Sequence, residues 1–515
     1  MQTRKYLNPK LKLVDAVTDE LVARVRETAS GAQSLAHLMV IVPTAQAGRR
    51  LRLALAARFD HGVIPPVVKM PAHLLEPASA DLPVADAVTE LAVLADTLCA
   101  ATPDDYPVLF PHAPERRTFA DAVDVAQGLQ RVWSIIGENG LLMRDVAAKA
   151  PELLKGDNLD LEVARWEDLA RLEEAFLKTL HGKGLRFRGE SASLAVATPS
   201  VPEGVEEIIL PALLSPIPAM YRVVEAMGLP VTVLIHANET DGENFDQWGR
   251  VVNVEGGFLE DLGLQDEQIS VFATTGAEAE SVADWFAAVK PEEALPALTL
   301  VDNELFPEMQ GTFQAKGLML HNPARLAVAT SSLGHLLGQL VALSGEARYD
   351  VFSAFIRQGD VQRWIAESLK MTRTAVVKTL IALDDLKAKH LPEKLDDVRV
   401  FAEGDLLRVV NFVKGRLERS ECLENVRELL EEIFARHLLD EARPEDREFA
   451  AAAEAGKEMF DEFATLGLPA DRARVLFGKR LASATYSLEP DTGDVIQTDG
   501  WLEVPWLAEE ELVIA

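Results

Sequence analysis

The chain has 515 residues, which is more than one hydrophobic core usually holds, so roughly two to four domains are expected. Hydrophobic residues make up 48% of the sequence, which excludes a mainly disordered chain, and 82 acidic against 51 basic residues give a net charge of −31. This negative charge argues against a general nucleic-acid coat protein, although it leaves room for a local basic channel or for docking on a basic partner.

The first third of the chain predicts alternating helices and strands. The predicted elements are a helix over 14–29, a buried strand over 38–42, a helix over 45–58, an extended Val-Val piece within 65–75 and a helix over 86–100. This alternation is typical of a parallel sheet with crossover helices. From Phe119 to about Leu180 the pattern is helical throughout, which indicates a helical insertion.

Strand patterns return in the middle of the chain. Strands are predicted over 206–214, 229–237, 269–275, 297–302 and 317–322, with helices over 217–227, 277–288 and 332–343. The regular alternation again favours open α/β sheets. From about Val351 to Arg480 the chain is helical and rich in charge, and the last stretch, 500–515, is predicted to be extended.

The sequence lacks the motifs of several enzyme classes. The turn after Val42 has one glycine, Gly48, and no lysine, so it does not form a P-loop. The strand at 208–210 runs into Pro211 and Ala212, which cannot bind magnesium. Neither a His-Glu-x-x-His motif nor a Gly-x-Ser-x-Gly elbow is present, and the histidines lack metal-ligand spacing. We therefore expect no ATP hydrolysis at this turn, and no metal or other cofactor in this chain.

The segment LMVIVPTAQAGRR (38–50) still has the outline of a phosphate-handling turn. Arg49 and Arg50, which end this segment, and Arg52 lie near a helix start, where positive charge is unfavourable unless an anion or an acid offsets it. One interpretation is contact with nucleic-acid phosphates, with Thr44 in the same turn. The other is pairing with acidic side chains, which the net negative charge slightly favours. These four are the candidate nucleic-acid-binding residues, and no catalytic or metal-binding residue is identified.

The loop HANETDGENFDQWG (236–249) lies after a predicted strand and is rich in turn-forming residues. Loops at the carboxyl ends of strands are where α/β sheets bind ligands. Asp241, Glu243 and Asp246 could hold magnesium in a metal-dependent enzyme. The alternative, which we prefer, is an acidic surface loop anchored in the core by its two aromatic residues.

Cysteine content and the N-terminus bear on the compartment. The two cysteines, Cys99 and Cys422, are far apart, which excludes a disulfide framework and a Cys-rich zinc or iron–sulfur site. The N-terminus is charged and lacks the apolar centre of a signal peptide, and no apolar run is long enough to span a membrane. We expect a cytoplasmic protein without a membrane partner.

Five stretches, in this order, resemble the AddB-type subunits of bacterial AddAB helicase–nucleases, which repair double-strand breaks. Each stretch is weakly specific alone, and their order along most of the chain is the stronger signal. They are VIVPTAQAGRRLRLAL, EIILPALLSPIPAMYRVVEAMGLPVTVLIHANETDGENFDQWG, ISVFATTGAEAESVADWF, LTLVDNELFPEMQGTFQAKGLMLHNPARLAVATSSLGHLLGQL and DGWLEVPWLAEEELVIA.

The resemblance implies an α/β fold with two RecA-like, superfamily-1 helicase-like parallel-sheet lobes and large helical insertions. In many members the first lobe lacks the ATP motif, which agrees with the missing P-loop. The implied domains are the first lobe in two parts (1–115 and 201–262), a helical insertion (116–200), the second lobe (263–345), a further helical insertion (346–482) and the start of the second lobe's continuation (483–515).

The resemblance also implies a function, namely a non-catalytic helicase-like scaffold of a DNA-repair helicase–nuclease. Its partners would be an AddA-like subunit that supplies the ATPase, and DNA within the complex, which we expect to be single-stranded. Family members continue into a PD-(D/E)XK nuclease domain with iron–sulfur cysteine ligands, and the full-length family has exonuclease activity. This chain stops before the family's Asn-Glu-Gly motif, so we expect a truncated product or a shortened relative that lacks ATPase and nuclease activity. The alternatives are a nuclease subunit without its catalytic domain, or a plain protein-interaction module that docks through residues 351–480.

Overall fold

The computed structural model describes residues 2–112, 118–156, 158–213, 217–252, 265–289, 296–323, 325–418, 422–440, 442–488 and 495–515. The protein is α/β, with parallel sheets and many helices. The chain divides into two compact units. The first is Met1–Ala85, Arg131–Pro323 and Pro490–Ala515, and the second is Asp86–Gln130 and Ala324–Glu489. The domain boundaries implied by the resemblance stay a prediction.

The strands of the described residues are β1 (Gln2–Leu7), β2 (Arg26–Glu27), β3 (Gln33–Ser34), β4 (Leu38–Ile41), β5 (Val67–Lys69), β6 (Glu207–Pro211), β7 (Val231–His236), β8 (Ala297–Thr299), β9 (Met319–His321), β10 (Leu326–Ala327), β11 (Thr485–Tyr486), β12 (Val495–Asp499) and β13 (Leu512–Ile514).

The helices of the same residues are α1 (Leu13–Val22), α2 (Ala45–Ala57), α3 (Pro71–Leu74), α4 (Ala87–Ala100), α5 (Phe119–Glu138), α6 (Met143–Leu153), α7 (Leu159–Gly182), α8 (Ser191–Ala197), α9 (Pro218–Ala226), α10 (Thr275–Ala288), α11 (Phe306–Ala315), α12 (Ser332–Gly345), α13 (Tyr349–Phe355), α14 (Gly359–Leu369), α15 (Arg373–His390), α16 (Leu395–Phe401), α17 (Gly404–Leu417), α18 (Leu423–Phe434), α19 (Pro444–Leu466) and α20 (Ala470–Ser483).

The larger sheet of the first unit has five parallel strands in the order β1-β7-β6-β4-β5. Every residue of β4 is buried, as expected for an apolar run covered on both faces. From β4 the chain passes to its neighbour β5 on one side, and from β6 it passes to β7 on the other. The strand order therefore reverses between β4 and β6, and such a switch point is where open α/β sheets bind ligands.

Helices cover both faces of this sheet because successive strand residues point to opposite sides. Leu38 and Val40 face α1 and α2, and Trp506, from near the end of the chain, packs into the same cluster. Met39 and Ile41 face α8 and α9 on the other side. The start of α2 is thus held between a buried strand and the last segment of the chain.

The smaller sheet of the first unit has four parallel strands in the order β13-β8-β12-β9. Helices α10 and α11 pack on it through Phe286, Met309 and Phe313. In the register of β12 and β8, Asp499 lies opposite Thr299, and each is the last residue of its strand. The sheet therefore presents two polar side chains together at the carboxyl ends of its two central strands.

Among its described residues, the second unit is helical apart from the short antiparallel pair of β10 and β11. Helices α13 to α20 occupy the region from 349 to 483, which confirms the helical prediction for 351–480. Their cores are built from residues at helical spacing, such as Val409, Val410 and Val413 on α17. Among the described helices, none is both long enough and apolar enough to cross a membrane.

Several sequence-based elements were wrong or incomplete. The predicted strand over 269–275 is absent, because its residues pair with no described strand and Val271 is 90% exposed. The helix predicted over 14–29 ends at Val22, since the following polar residues have no apolar face to bury and form the β2–β3 hairpin instead, with Gly31 at φ +80° in its turn. Within 500–515, only Leu512–Ile514 is a strand, and Val504–Trp506 is a 3₁₀ turn.

Candidate functional site

Residues of the turn between β4 and α2, Thr44 among them, have a structural role. The Oγ1 of Thr44 accepts a hydrogen bond from the backbone N–H of Ala47 at 3.2 Å, so Thr44 is the N-cap of α2. A Cβ on Gly48 would lie 3.0 Å from the Val68 side chain, so a small residue lets α2 pack closely on the sheet. The small residues of this turn therefore set the position of α2 above the switch point.

The three arginines of the turn differ in their surroundings. Arg49 and Arg52 are exposed on α2, whereas Arg50 is largely buried, with 16% of its side chain accessible. Because α2 begins at Ala45, all three lie beyond its first turn, where the helix dipole acts most strongly. The unfavourable interaction of these three charges with the helix dipole is therefore weaker than the sequence suggested.

Arg50 is bound by two carboxylates from the end of the chain. Its Nη2 donates to Asp499 Oδ2 at 2.6 Å, and its Nη1 donates to Glu509 Oε2 at 3.2 Å and to Glu509 Oε1 at 3.3 Å. Asp499 is the last residue of β12, and its side chain is 1% exposed. One arginine therefore joins the helix on the larger sheet to a central strand of the smaller sheet. Of the two interpretations of this turn, contact with phosphates or pairing with acids, the structure has acid pairing at Arg50.

These residues line a cleft of about 230 Å³, which we call the Arg50 cleft. Arg49 lies at its edge, and Ala297 and Gln497 of β8 and β12 form part of its wall. Three buried polar atoms nearby find no hydrogen-bond partner in the described part of the chain: Arg50 Nε, Asp499 Oδ1 and Thr299 Oγ1. Buried polar atoms without partners are uncommon, so this cluster is a place for ordered water or a small polar molecule.

Burial dominates the electrostatics of Asp499. Loss of water raises the pKa of its carboxyl to about 6, the Arg50 guanidinium pulls the pKa down, and the charges of Glu509 and Glu503 raise it. Burial also acts to raise the pKa of Glu509, but backbone N–H groups and Arg50 outweigh it and hold that pKa below its ordinary value. Glu509 is therefore the more firmly ionised partner of Arg50.

The Arg50 cleft does not have the chemistry of a nucleotide site. Both terminal nitrogens of Arg50 are engaged by carboxylates, so its donor fork is not offered to a phosphate while these ion pairs hold. The turn before α2 supplies neither the glycines nor the lysine that cradle a triphosphate. What the arrangement can do is fix α2 against β12.

The acidic loop after β7 is organised by Asp246 rather than arranged around a metal. The Asp246 carboxylate accepts hydrogen bonds from the backbone N–H groups of Trp248 and Arg250, at 2.8 and 2.9 Å, and from Arg250 Nε at 2.6 Å. Trp248 is buried, with its ring 4.5 Å from that of Tyr221. Across the described residues, no group of three or more His, Cys, Asp or Glu side chains is placed to hold a metal ion.

Sequence reasoning missed Asp499 and Glu509 because it missed the strand β12. The segment VIQTD has only two apolar residues, Val495 and Ile496, followed by three polar ones, so it resembles a loop. The one available signal was an aspartate directly before Gly500, after a β-branched threonine. An acid at that position often ends a parallel strand, but only the fold shows which helix it faces.

A scan against protein-family models gives no match, and no curated protein matches the chain significantly. The site therefore has to be interpreted from its own residues.

Proposed function

We propose that this chain is a non-catalytic, helicase-like scaffold of the AddB type. It would handle DNA strands within a helicase–nuclease whose ATPase belongs to an AddA-like partner subunit. The ordered sequence blocks support this proposal, and so does an architecture of two parallel sheets flanked by helices, which fits two RecA-like lobes with helical insertions. The nuclease activity of the full-length family is not assigned to this chain.

The observation that carries the proposal is the ion pair of Arg50 with Asp499. In nucleotide-binding sheets, the turn at the switch point and the helix after it hold phosphates. Here the same place is occupied by an arginine whose terminal nitrogens contact carboxylates, 2.6 Å from Asp499 and 3.2 Å from Glu509. A motor-like architecture closed in this way can position nucleic acid without turning over ATP.

Arg49 and Arg52 are the residues of this helix that remain accessible to DNA. Both are exposed, and each would contribute a phosphate contact that fixes a strand without reading its sequence. The net charge of −31 repels DNA at long range, so binding must depend on such local contacts and on low salt.

The experiment measures binding of a labelled single strand by the purified chain as a function of salt. Binding that weakens with salt, with a slope reduced by about 0.7 per lost phosphate contact in the double variant Arg49→Glu with Arg52→Glu, supports the proposal. The control is Arg131→Glu with Arg144→Glu, which makes the same change of charge at exposed positions on α5 and α6. No binding at low salt, with or without a partner subunit, or equal weakening in both double variants, contradicts it.

A second candidate function, a protein-interaction module, is favoured by exposed apolar side chains on α15 and α16. Val377 and Ile381 lie one turn apart and are 45% and 56% exposed, and Val400 is 75% exposed. Phe401 stacks on His390 with ring centroids 4.0 Å apart. Two results together would favour this function over the first. The wild-type chain would bind no DNA, and it would capture a partner protein that the variants Ile381→Glu and Val400→Glu fail to capture.

A further inference from the structure

A second cavity of the first unit, separate from the Arg50 cleft, encloses about 460 Å³. We call it the Arg186 cavity. Its wall includes Arg186 and Ser191 from the segment before and at the start of α8, Ser134 from α5, and Ala72 from α3. This volume lies within the range of pockets that bind small molecules, about 300–1,000 Å³.

Arg186 is buried at this cavity, with 8% of the residue exposed. Its Nε donates to the backbone carbonyl of Leu82 at 3.0 Å, and its Nη1 donates to Ser191 Oγ at 2.5 Å. Both acceptors are neutral. Its remaining nitrogen, Nη2, has no partner among the residues that the structure describes, so part of the donor fork is unused.

No carboxylate in the described chain forms an ion pair with Arg186. The acids whose charge acts on Arg186 are Glu190 and Glu76, but Glu190 Oε2 already accepts from the backbone N–H of Phe187 at 3.0 Å and contacts His181 Nε2 at 3.0 Å. Burial lowers the pKa of the Arg186 guanidinium, against the opposing charges of Glu190 and Glu76. A buried cation without a paired anion is costly, and a bound anion would remove that cost.

The wall of the cavity beside Arg186 is rigidly placed. A Cβ on Gly137 of α5 would lie 2.4 Å from Gly189 Cα, so the helix and the 3₁₀ turn Arg188–Glu190 touch through two glycines. This close contact holds the segment that carries Arg186 against α5. The donor fork is therefore fixed before any ligand arrives, which lowers the entropy cost of binding.

We propose that the Arg186 cavity binds the phosphate group of a small, free molecule. The planar guanidinium matches two oxygens of a phosphate, and the Ser191 hydroxyl, which accepts from Arg186, can donate its own proton to a third. The cavity is larger than a phosphate, so it leaves room for an attached organic group. Glu76 and Glu138 line its exposed rim and would repel a polyanion such as a DNA strand, which favours a single, small anion.

The test is calorimetric titration of the full chain with inorganic phosphate and with pyrophosphate at low salt. The proposal predicts saturable binding that falls at least about tenfold in Arg186→Met. The control, Arg131→Met, removes an exposed arginine from α5 that does not line the cavity, and it should bind as the wild type does.

A second variant covers the case in which Arg186→Met fails to fold. Ser134→Glu introduces a carboxylate at the cavity wall as a built-in partner for Arg186, and it should abolish phosphate binding in a folded chain. Absence of wild-type binding at millimolar phosphate and pyrophosphate, or unchanged binding in Ser134→Glu, overturns the proposal. Displacement of pyrophosphate by a short single-stranded oligonucleotide would also overturn it, by identifying the occupant as a DNA phosphate. None of these outcomes depends on Arg49 or Arg52, so the proposed function is tested separately.

Discussion

Arg50 and Asp499 are 449 residues apart in the chain, and their side chains meet at 2.6 Å. The arginine lies on the helix that follows the interior strand β4 of the larger sheet, and the aspartate ends β12, one of the two central strands of the smaller sheet. This contact occupies the place where a nucleotide-binding sheet would hold a phosphate, which is why the proposed function includes no ATP hydrolysis by this chain.

The ion pair makes a prediction about stability. Arg50→Met leaves the Asp499 carboxylate buried without its cation, which we expect to lower the free energy of unfolding by about 3–5 kcal/mol. Denaturant unfolding, followed by tryptophan fluorescence, measures the change. The double variant Arg50→Met with Asp499→Leu should recover most of the loss, because it removes the fully buried charge and leaves only the partly exposed Glu509 without its cation. Arg49→Met is the control at an exposed neighbour, and an equal loss in that variant would refute the role of the pair.

The raised pKa of Asp499 predicts a dependence of stability on pH. Its pKa rises from 3.8 to about 6 in the folded chain, so the folded state holds this proton more tightly than the unfolded chain. The resulting stabilisation is complete below about pH 4 and is lost as pH rises through about 6, with a total on the order of 3 kcal/mol. In Asp499→Asn this decline should become smaller by that amount in a series of thermal midpoints measured across that range, while the part due to Glu173, whose pKa burial raises to about 7, remains. The exposed Asp60→Asn is the control, and a decline as large in Asp499→Asn as in the wild type would show that Asp499 does not contribute to it.

Two glycines of α5 provide a matched test of the wall beside the Arg186 cavity. A Cβ on Gly128 would meet nothing within 4 Å, whereas one on Gly137 would lie 2.4 Å from Gly189 Cα. Gly128→Ala should therefore stabilise the chain by about 0.5–1 kcal/mol through helix propensity. Gly137→Ala should destabilise it by about 1–3 kcal/mol or more, since backbone must move to relieve the clash. Thermal denaturation of both variants measures the difference, and equal effects would mean that the two segments do not touch.

Trp506 anchors the last segment of the chain. It is 1% exposed and packs in one cluster with residues of α1, α2 and the larger sheet. We expect Trp506→Ala to cost about 3–5 kcal/mol through the cavity that it leaves. Trp501 is 53% exposed, so Trp501→Ala is a control that should change stability little. If the two variants unfold at the same denaturant concentration, the segment is not held by Trp506.

The parts of the fold that the sequence predicted are those with a strong local pattern. The apolar run of β4 and the helix after it were predicted within a residue or two, since burial of the strand and an N-cap at Thr44 are both local signals. The helical character of 351–480 was also predicted, although the bounds of its individual helices were not. Local patterns of this kind fix the class of the fold and the order of its elements.

The parts that were missed depend on distant neighbours. Strand β12 is largely polar and becomes a central strand only because β8 and β9 flank it. The stretch at 269–275 has strand-forming residues but pairs with no strand in the described part of the chain. The partner of Arg50 could be predicted only as some acidic residue, because nothing near Arg50 in the sequence points to Asp499. The sequence therefore identified the arginine of the candidate site but not its carboxylates.

The most direct test of the central claim is ATP hydrolysis by the purified chain, measured with magnesium and single-stranded DNA. An architecture whose phosphate-binding place is closed by Arg50, Asp499 and Glu509 should release no phosphate above the rate without protein. The account would be contradicted by ATP hydrolysis whose rate scales with the concentration of the chain, provided that Arg50→Met abolishes it and Arg131→Met retains it.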